Sequence, residues 1–122
     1  MLLHKELSEK ITKAFYKVYN ELGYGFLEKV YENALLIELK KSGLQVKKQV
    51  PIAVYYDNQV VGDYFADMVV EDCIILELKA VEMLIEAHEI QLINYLKATE
   101  MEIGLLLNFG KKPQFKRKIY NN

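Results

Sequence analysis

Three charged residues stand inside apolar segments that have the composition of β-strands: Asp67 within residues 62–70, and Glu77 and Lys79 within residues 74–79. Burying a carboxylate or an ammonium group is costly unless the charge is paired, hydrogen-bonded or bound to a metal. Two carboxylates together with water molecules are the usual way in which proteins hold Mg²⁺. A nearby ammonium group can hold a phosphate or assist an attacking water, so this set of residues predicts metal-assisted phosphoryl chemistry.

The register of the hairpin between these two segments decides whether the three charges meet. Alternate residues of a strand share a face, so Glu77 and Lys79 point the same way, and Asp67 joins them only if it lies opposite Glu77. A two-residue turn after Val70 would turn Asp67 to the wrong face, whereas a three-residue loop, 71–73, or a bulge near Asp67 corrects the register. The metal-site interpretation therefore predicts one irregularity. The alternative is a solvent-facing ion pair, worth about 0–1 kcal/mol.

Polar residues on two predicted helices are further candidates for a site. Glu28 lies in the first turn of the second helix, and Tyr31, three residues later, shares its face. An acid at this position also gains from the helix dipole, which explains Glu28 without any site. On the third helix, one polar stripe at spacings of three and four consists of His88, Gln91 and Tyr95. A single such residue is usually a satisfied core group, but three on the helix that follows the Glu-x-Lys strand favour a stripe that faces a site.

The segments that must position these residues follow the order helix, helix, three strands, helix, strand. Spacings of three and four predict helices over residues 3–22, 26–41 and 84–99, and apolar alternation or apolar runs predict strands over residues 46–56, 60–70, 74–79 and 103–109. On the second helix we expect Val30, Ala34 and Ile37 to face the core. Strands joined by hairpins and by one helical connection imply a mixed sheet with helices packed against it.

The composition is that of an ordinary globular protein. With 122 residues, of which 52% are hydrophobic and 27% charged, we expect a single domain over residues 1–122. No segment reaches the roughly 20 apolar residues of a membrane span, and no N-terminal run has the length of a signal peptide. The single cysteine, Cys73, cannot form an internal disulfide. We therefore expect a cytoplasmic protein.

Charge is distributed unevenly along the chain, although the formal net charge is only −1. Residues 51–110 hold 11 acidic groups and 2 lysines, whereas residues 111–122 hold 5 basic groups and no acid. A group of carboxylates suits a cation, and basic flanks suit a polyanion that approaches it. The basic residues expected to contact phosphates are Lys111, Lys112, Lys116, Arg117 and Lys118. A solvated surface with a basic tail is the alternative.

Several motifs in order along the chain resemble one known family. Gly-x-x-Glu-x-x-Tyr at residues 25–31, Asp67, Glu-Leu-Lys at 77–79, His-Glu-Ile-Gln at 88–91 and Asn-Phe-Gly at 108–110 look like the GxxExxY family, which is similar to the PD-(D/E)xK nucleases. The resemblance runs from about residue 15 to residue 115, and Ala66 stands where many of these nucleases have Pro. It implies an α/β fold with a restriction-endonuclease-like αβββαβ core, in which helices flank a mixed central sheet.

The resemblance also implies roles for individual residues. Asp67 and Glu77 would be ligands of Mg²⁺ or Mn²⁺, and Lys79 would be the catalytic lysine. Glu28 would be an additional acid that reaches the site from its helix. Together with the helix patterns above, the residues expected to border the site and contact substrate are Gln91, Tyr95, Tyr31 and His88.

These expectations agree on a nuclease that hydrolyses phosphodiester bonds of nucleic acid, with DNA favoured, by direct attack of a metal-activated water. The alternative is a non-catalytic module that keeps the nuclease fold and binds nucleic acid or protein. All three charged strand residues are present, which favours the enzyme, because a pure binder gains nothing from buried carboxylates that repel phosphate. No membrane partner is expected, and the oligomeric state stays open, a homodimer included.

Overall fold

The computed structural model describes residues 4–121, in which a five-stranded mixed sheet carries helices on both faces. In chain order the elements are α1 (Lys5–Leu22), α2 (Glu28–Lys41), β1 (Val46–Tyr56), β2 (Gln59–Val70), β3 (Ile74–Lys79), α3 (Glu86–Lys97), β4 (Ile103–Phe109) and β5 (Pro113–Ile119). The strands lie side by side in that order, and only the β3/β4 pair is parallel. The predicted αβββαβ order and the mixed sheet are confirmed. The start predicted for the first helix, residue 3, lies outside the described residues.

Strand β5 forms where the sequence predicted no further element. It pairs antiparallel with β4 along its whole length, from Pro113 to Ile119. Neighbouring residues of a strand point to opposite faces, so its basic residues are divided between the two sides of the sheet. Lys118 forms a 2.5 Å ion pair with Glu89 on α3, whereas Arg117 lies beside α1. The basic run is therefore not one continuous patch.

Helices α1 and α2 cover one face of the sheet. The buried side of α2 consists of Tyr31, Leu35 and Leu39, with the carboxylate of Glu32 beside them. The prediction that Val30 and Ile37 face the core was wrong, because these side chains are 38% and 59% exposed. The ring of Tyr31 stacks on that of Phe109 with centroids 4.4 Å apart, which fixes the rotation of the helix. Among residues 4–121, no helix combines the length and the apolar composition needed to cross a bilayer.

Helix α3 covers the opposite face and packs closely on β4. A second hydrophobic cluster lies there, formed by Ile52, Ala66, Val69, Ile75, Leu92, Tyr95, Leu96 and Leu106. Gly104 makes this close packing possible, since a Cβ at that position would lie only 2.5 Å from Leu92 Cδ1. The position of α3 above the sheet, and hence of every side chain that it directs toward β3, depends on this contact.

Candidate functional site

The hairpin between β2 and β3 has the three-residue connection that a metal site requires. The paired residues are Val70 with Ile74, Val69 with Ile75 and Met68 with Leu76. Residues 71–73 form the loop, in which Glu71 and Asp72 both adopt left-handed backbone conformations with φ of 53°. Just beyond the last pair, the backbone N–H of Asp67 donates to the carboxylate of Glu77, so the two acids meet where the strand pairing ends. The predicted irregularity in this hairpin is therefore confirmed.

Asp67 and Glu77 take part in hydrogen bonds that replace the regular ladder. The backbone N–H of Asp67 donates to Glu77 Oε2 at 2.8 Å, and the backbone N–H of Leu78 donates to Asp67 Oδ2 at 2.7 Å. In a regular sheet, the N–H groups of a strand donate to backbone carbonyl oxygens of its neighbouring strands. Here carboxylates take the place of the carbonyls, so strand pairing ends at this point and each side chain is oriented by the backbone of the hairpin.

Strand β2 reverses its faces at Asp67. Met68 and Val70 pack on the side of α1 and α2, whereas Ala66 packs on the side of α3, although residues two apart in a regular strand share a face. The flanking pairs of β1 and β2 place Gln49 opposite Asp67, and Gln49 has a left-handed φ of 50°. Its side chain lies close enough to Asp67 to favour the ionised form of that carboxyl group and so to lower its pKa. The left-handed backbone of Gln49 therefore occurs at the point where β2 reverses its faces, and its side chain lies beside Asp67.

Helix α2 brings two more acids toward Asp67. Glu28 is the first residue of the helix, and Glu32 follows one turn later, where it is only 4% exposed. Glu32 Oε1 lies 3.4 Å from the ammonium group of Lys48, and its Oε2 accepts a 3.5 Å hydrogen bond from the amide of Gln49. Glu32 therefore helps to hold Gln49 in place. We call Glu28, Glu32, Asp67 and Glu77 the acidic cluster.

Burial and mutual repulsion make three members of the acidic cluster resist ionisation. Burial, followed by the charge of Asp67, raises the pKa of Glu77 from 4.5 to about 8. Burial is also the main cause that raises the pKa of Asp67, and the charge of Glu32 adds to it, while the hydrogen bond from Leu78 acts in the opposite direction. Partial burial and then the charge of Asp67 raise the pKa of Glu28. A bound divalent cation would remove this repulsion.

Lys79 is connected to helix α3. Its Nζ donates to Gln91 Oε1 at 3.4 Å, and the side chain of Gln91 lies close enough to Tyr95 to act on the pKa of its phenol. Burial, followed by the charges of Glu77 and Asp67, raises the pKa of the Tyr95 phenol. The structure therefore brings Gln91 and Tyr95 close to Lys79 and the two strand carboxylates.

Two other residues expected to contact substrate make hydrogen bonds within the scaffold. Tyr31 is completely buried, its hydroxyl donates to the carbonyl of Gly23 at 2.7 Å, and it accepts from the N–H of Phe26 at 3.2 Å. A substrate cannot reach it, so its role is corrected to fixing the loop between α1 and α2. His88 Nδ1 accepts from the N–H of Ile85 at 3.1 Å and caps the first turn of α3. No contact among the described residues joins His88 to the acidic cluster.

Sequence reasoning missed one member of the acidic cluster, Glu32, and one residue beside it, Gln49. Glu32 carried a visible signal, because it lies four residues after Glu28 and shares its helix face. Gln49 carried none, since glutamine has no special preference for a left-handed backbone, and the pattern of β1 gives no sign of a reversal. Both lie within reach of Asp67 and act on its orientation or its charge.

The carboxylate oxygens of Asp67 and Glu77 are suitable ligands for a divalent cation such as Mg²⁺ or Mn²⁺. Each carboxylate uses one oxygen to accept a backbone N–H, and the other oxygens, Asp67 Oδ1 and Glu77 Oε1, would be the metal ligands. Oxygen ligands are those that these ions prefer, and Mg²⁺ commonly keeps several waters. Within residues 4–121, no three His, Cys, Asp or Glu side chains are grouped closely enough to hold an ion by themselves. Water and substrate oxygens would therefore complete the coordination.

Comparison with known proteins agrees with this arrangement. A model of the PD-(D/E)XK nuclease superfamily matches residues 5–118, a range that contains the whole acidic cluster, Lys79 and α3. Nucleases of this superfamily generally use divalent metals, and their substrates are nucleic acids. No curated protein matches the chain, and no solved structure does. The match covers nearly the full length of the chain, which therefore belongs to the PD-(D/E)XK nuclease superfamily.

Proposed function

We propose that the protein is a nuclease that depends on Mg²⁺ or Mn²⁺ and hydrolyses phosphodiester bonds of nucleic acid, with DNA as the favoured substrate. The observation that carries this proposal is the meeting of Asp67 and Glu77 through hydrogen bonds at the end of the β2/β3 pairing, with Lys79 two residues further along β3. Membership of the superfamily supports it independently. Within that superfamily, the Gly-x-x-Glu-x-x-Tyr motif at residues 25–31 supports assignment to the GxxExxY group.

In the proposed reaction each residue of the site has a separate task. Asp67 and Glu77 hold the cation, which when bound polarises the phosphoryl group and makes a water more acidic. Lys79, whose ammonium group is oriented by Gln91, binds a non-bridging phosphate oxygen and stabilises the charge that develops there. Water adds to phosphorus and one P–O ester bond breaks, which leaves a phosphate monoester and a free hydroxyl group. Glu28 is an additional acid at the edge of the site.

A non-catalytic binding module is the alternative, and the electrostatics of the acidic cluster disfavour it. When ionised without a cation, Asp67 and Glu77 repel phosphate, and their raised pKa values indicate that ionising them in the folded state is unfavourable. A binder would gain from replacing these carboxylates with neutral or basic groups. Their presence is explained when a cation occupies the site.

Cleavage of a substrate panel tests the proposal. Single-stranded, duplex and branched forms of DNA and RNA are incubated with the protein in EDTA, in Mg²⁺ and in Mn²⁺. Wild type should cleave at least one of them only when a divalent ion is present, and Lys79→Ala should abolish cleavage while changing the melting temperature little. Lys40→Ala removes an exposed lysine from the last turn of α2 and should cleave like wild type.

Two outcomes of this assay contradict the proposal. Equal cleavage by wild type and Lys79→Ala would assign the activity to a contaminant or to another site. Absence of cleavage on the whole panel with either ion would favour the binding module.

A further inference from the structure

A groove lies beside the acidic cluster, between the outer parts of β1 and β2 and helix α3. Its volume is about 860 Å³, which falls within the range of about 300–1,000 Å³ that is usual for ligand sites. Of its lining residues, Gln91 contacts Lys79, and Tyr95 lies beside the strand carboxylates. The groove is therefore continuous with the proposed site. We call it the tyrosine groove, after its lining residues Tyr55, Tyr64 and Tyr95.

Exposed aromatic rings form much of the tyrosine groove. Tyr55 is 66% exposed and Tyr64 is 47% exposed. The ring of Tyr64 lies 5.7 Å from that of Tyr95, so an exposed ring stands directly beside the residue that borders the carboxylates. Proteins that bind single strands use such rings as platforms on which unpaired bases stack, and every base offers a face for this. The groove has the surface that an unpaired base requires.

The polar lining of the groove also suits nucleic acid. The amides of Gln91 and Asn94 supply hydrogen-bond donors and acceptors, and Lys97 supplies a positive charge. Lys97 takes part in none of the ion pairs between described residues, and its ammonium group lies 5.8 Å from the centre of the Tyr120 ring. None of the described lining residues is acidic, in contrast to the neighbouring cluster. The lining itself therefore carries no charge that would repel a polyanion.

We propose that the tyrosine groove binds an unpaired segment of the substrate, with bases stacked on Tyr55 and Tyr64 and a phosphate beside Lys97. The adjoining phosphodiester then lies at Asp67 and Glu77. This inference rests on the proposed function and narrows its substrate class to nucleic acid that is single-stranded or has a single-stranded flank. A fully paired duplex binds less well, because its bases are stacked on one another and leave no face free for the tyrosines.

Two neighbouring tyrosines of β1 give a matched pair for the test. Tyr55 lines the groove and Tyr56 does not, yet both are well exposed, at 66% and 75%. Binding of a labelled single strand of about 12 nucleotides, and of the blunt duplex of the same sequence, is measured by fluorescence anisotropy in Mg²⁺. Lys79→Ala is used as the background so that no substrate is cleaved.

The single strand should bind more tightly than the duplex. Tyr55→Leu and Tyr64→Leu should each weaken single-strand binding by about tenfold, whereas Tyr56→Leu should change it by less than about twofold. Duplex binding should be the same in all three variants. Lys97→Gln removes an exposed charge without disturbing the core, and should lower the salt dependence of single-strand binding by about 0.7 in the log–log slope.

Three results would overturn the inference. In the first, Tyr55→Leu and Tyr56→Leu would weaken single-strand binding equally. In the second, the duplex would bind as tightly as the single strand, and Tyr55→Leu would weaken the binding of both equally. In the third, Tyr55→Leu would convert a dimer to a monomer in analytical ultracentrifugation without changing binding, which would assign the groove to contact between copies of this chain.

The binding readout separates this inference from the proposed function. If wild type cleaves but single-strand binding does not depend on the tyrosines, only the groove is wrong. If binding depends on the tyrosines as expected but wild type never cleaves, only the nuclease proposal is wrong.

Discussion

The backbone N–H of Asp67 donates a 2.8 Å hydrogen bond to the carboxylate of Glu77, and Asp67 accepts in return from the N–H of Leu78, the residue after Glu77. The two acids are therefore oriented by main-chain groups of one hairpin, not by flexible surface contacts. Fixed donors and dipoles of this kind need no rearrangement when charge develops during a reaction. The same arrangement buries two like charges close together, and this has measurable consequences for stability.

Without metal, the protein should lose stability as the pH rises. The pKa of Glu77 is about 8 in the folded protein against 4.5 for an ordinary glutamate. The folded state therefore holds this proton more tightly, so the stabilisation is complete below pH 4.5 and is lost as pH rises through about 8. The raised pKa values of Asp67 and Glu28 act in the same direction. In EDTA, the melting temperature followed by circular dichroism should fall by about 5 °C or more between these pH values.

A pair of glutamate variants controls this measurement. Glu77→Gln cannot ionise and should show a smaller fall, whereas Glu100→Gln, at an exposed glutamate, should behave like wild type. Saturating Mn²⁺ should flatten the wild-type curve, because the bound cation stabilises the ionised carboxylates. A wild-type melting temperature that is constant or rises over this pH range would contradict the buried pair.

Gln49 should affect metal binding through Asp67. Gln49→Asn keeps an amide that tolerates the left-handed φ of 50°, but it is one methylene too short to reach the same partners. Loss of a group that orients a metal ligand commonly weakens affinity by about 10–100-fold. The half-saturating Mn²⁺ concentration for cleavage should therefore rise by about tenfold or more. The matched control is Gln45→Asn, at an exposed glutamine just before β1, and an equal effect of the two substitutions would rule out this role.

The contact between Gly104 and Leu92 should be needed for both stability and activity. Gly104→Ala places a methyl group 2.5 Å from Leu92 Cδ1, and overpacking of this kind costs about 1–3 kcal/mol. Cleavage should fall as well, because α3 carries Gln91 and Tyr95. In urea denaturation, the double variant with Leu92→Ala should lose less stability than the sum of the two single losses, because the truncation makes room for the methyl group. Additive losses would contradict this packing.

The basic residues near the C-terminus should contribute unequally to nucleic-acid binding. Lys111 and Lys112 lie exposed in the turn between β4 and β5, at the end of the sheet where β3 finishes with Lys79. Lys118 is held in an ion pair with Glu89. Replacing both turn lysines with Gln should lower the salt slope of duplex binding by about 1–2, and Lys118→Gln should lower it by much less. Equal slopes for the two variants would leave the turn without a phosphate contact.

Much of the fold could be predicted because the apolar patterns are strong. The spans of β1, β3 and β4 agree with the expected ones, and the three-residue loop followed from requiring Asp67 and Glu77 to share a face. Strand β5 was hidden because its alternation is carried by lysines and an arginine, whose long stems cover apolar surface while their charges stay in water. The buried side of α2 could not be predicted from the sequence, because apolar residues occur on several sides of that helix.

The candidate site was harder to predict where it depends on tertiary packing. Tyr31 had the spacing of a site residue, but its ring stacks on Phe109, which is 78 positions away in the chain and belongs to the last predicted strand. Gln49 gains its position only from the face reversal of β2 at Asp67, which no local pattern encodes. Contacts of this kind are set by the whole sheet and not by the spacing of a motif.

Thermal melts of wild type and Asp67→Asn, each in EDTA and in Mn²⁺, test the central claim most directly. The substitution removes one charge of the acidic cluster at nearly constant shape, and Asp63→Asn, at an exposed aspartate of the same strand, is the matched control. In EDTA, Asp67→Asn should melt at the same temperature as wild type or higher, and its stabilisation by Mn²⁺ should largely vanish, while Asp63→Asn keeps both wild-type values. A clear loss of stability in EDTA with an unchanged response to Mn²⁺ would show that Asp67 is a structural ion-pair partner and not a metal ligand.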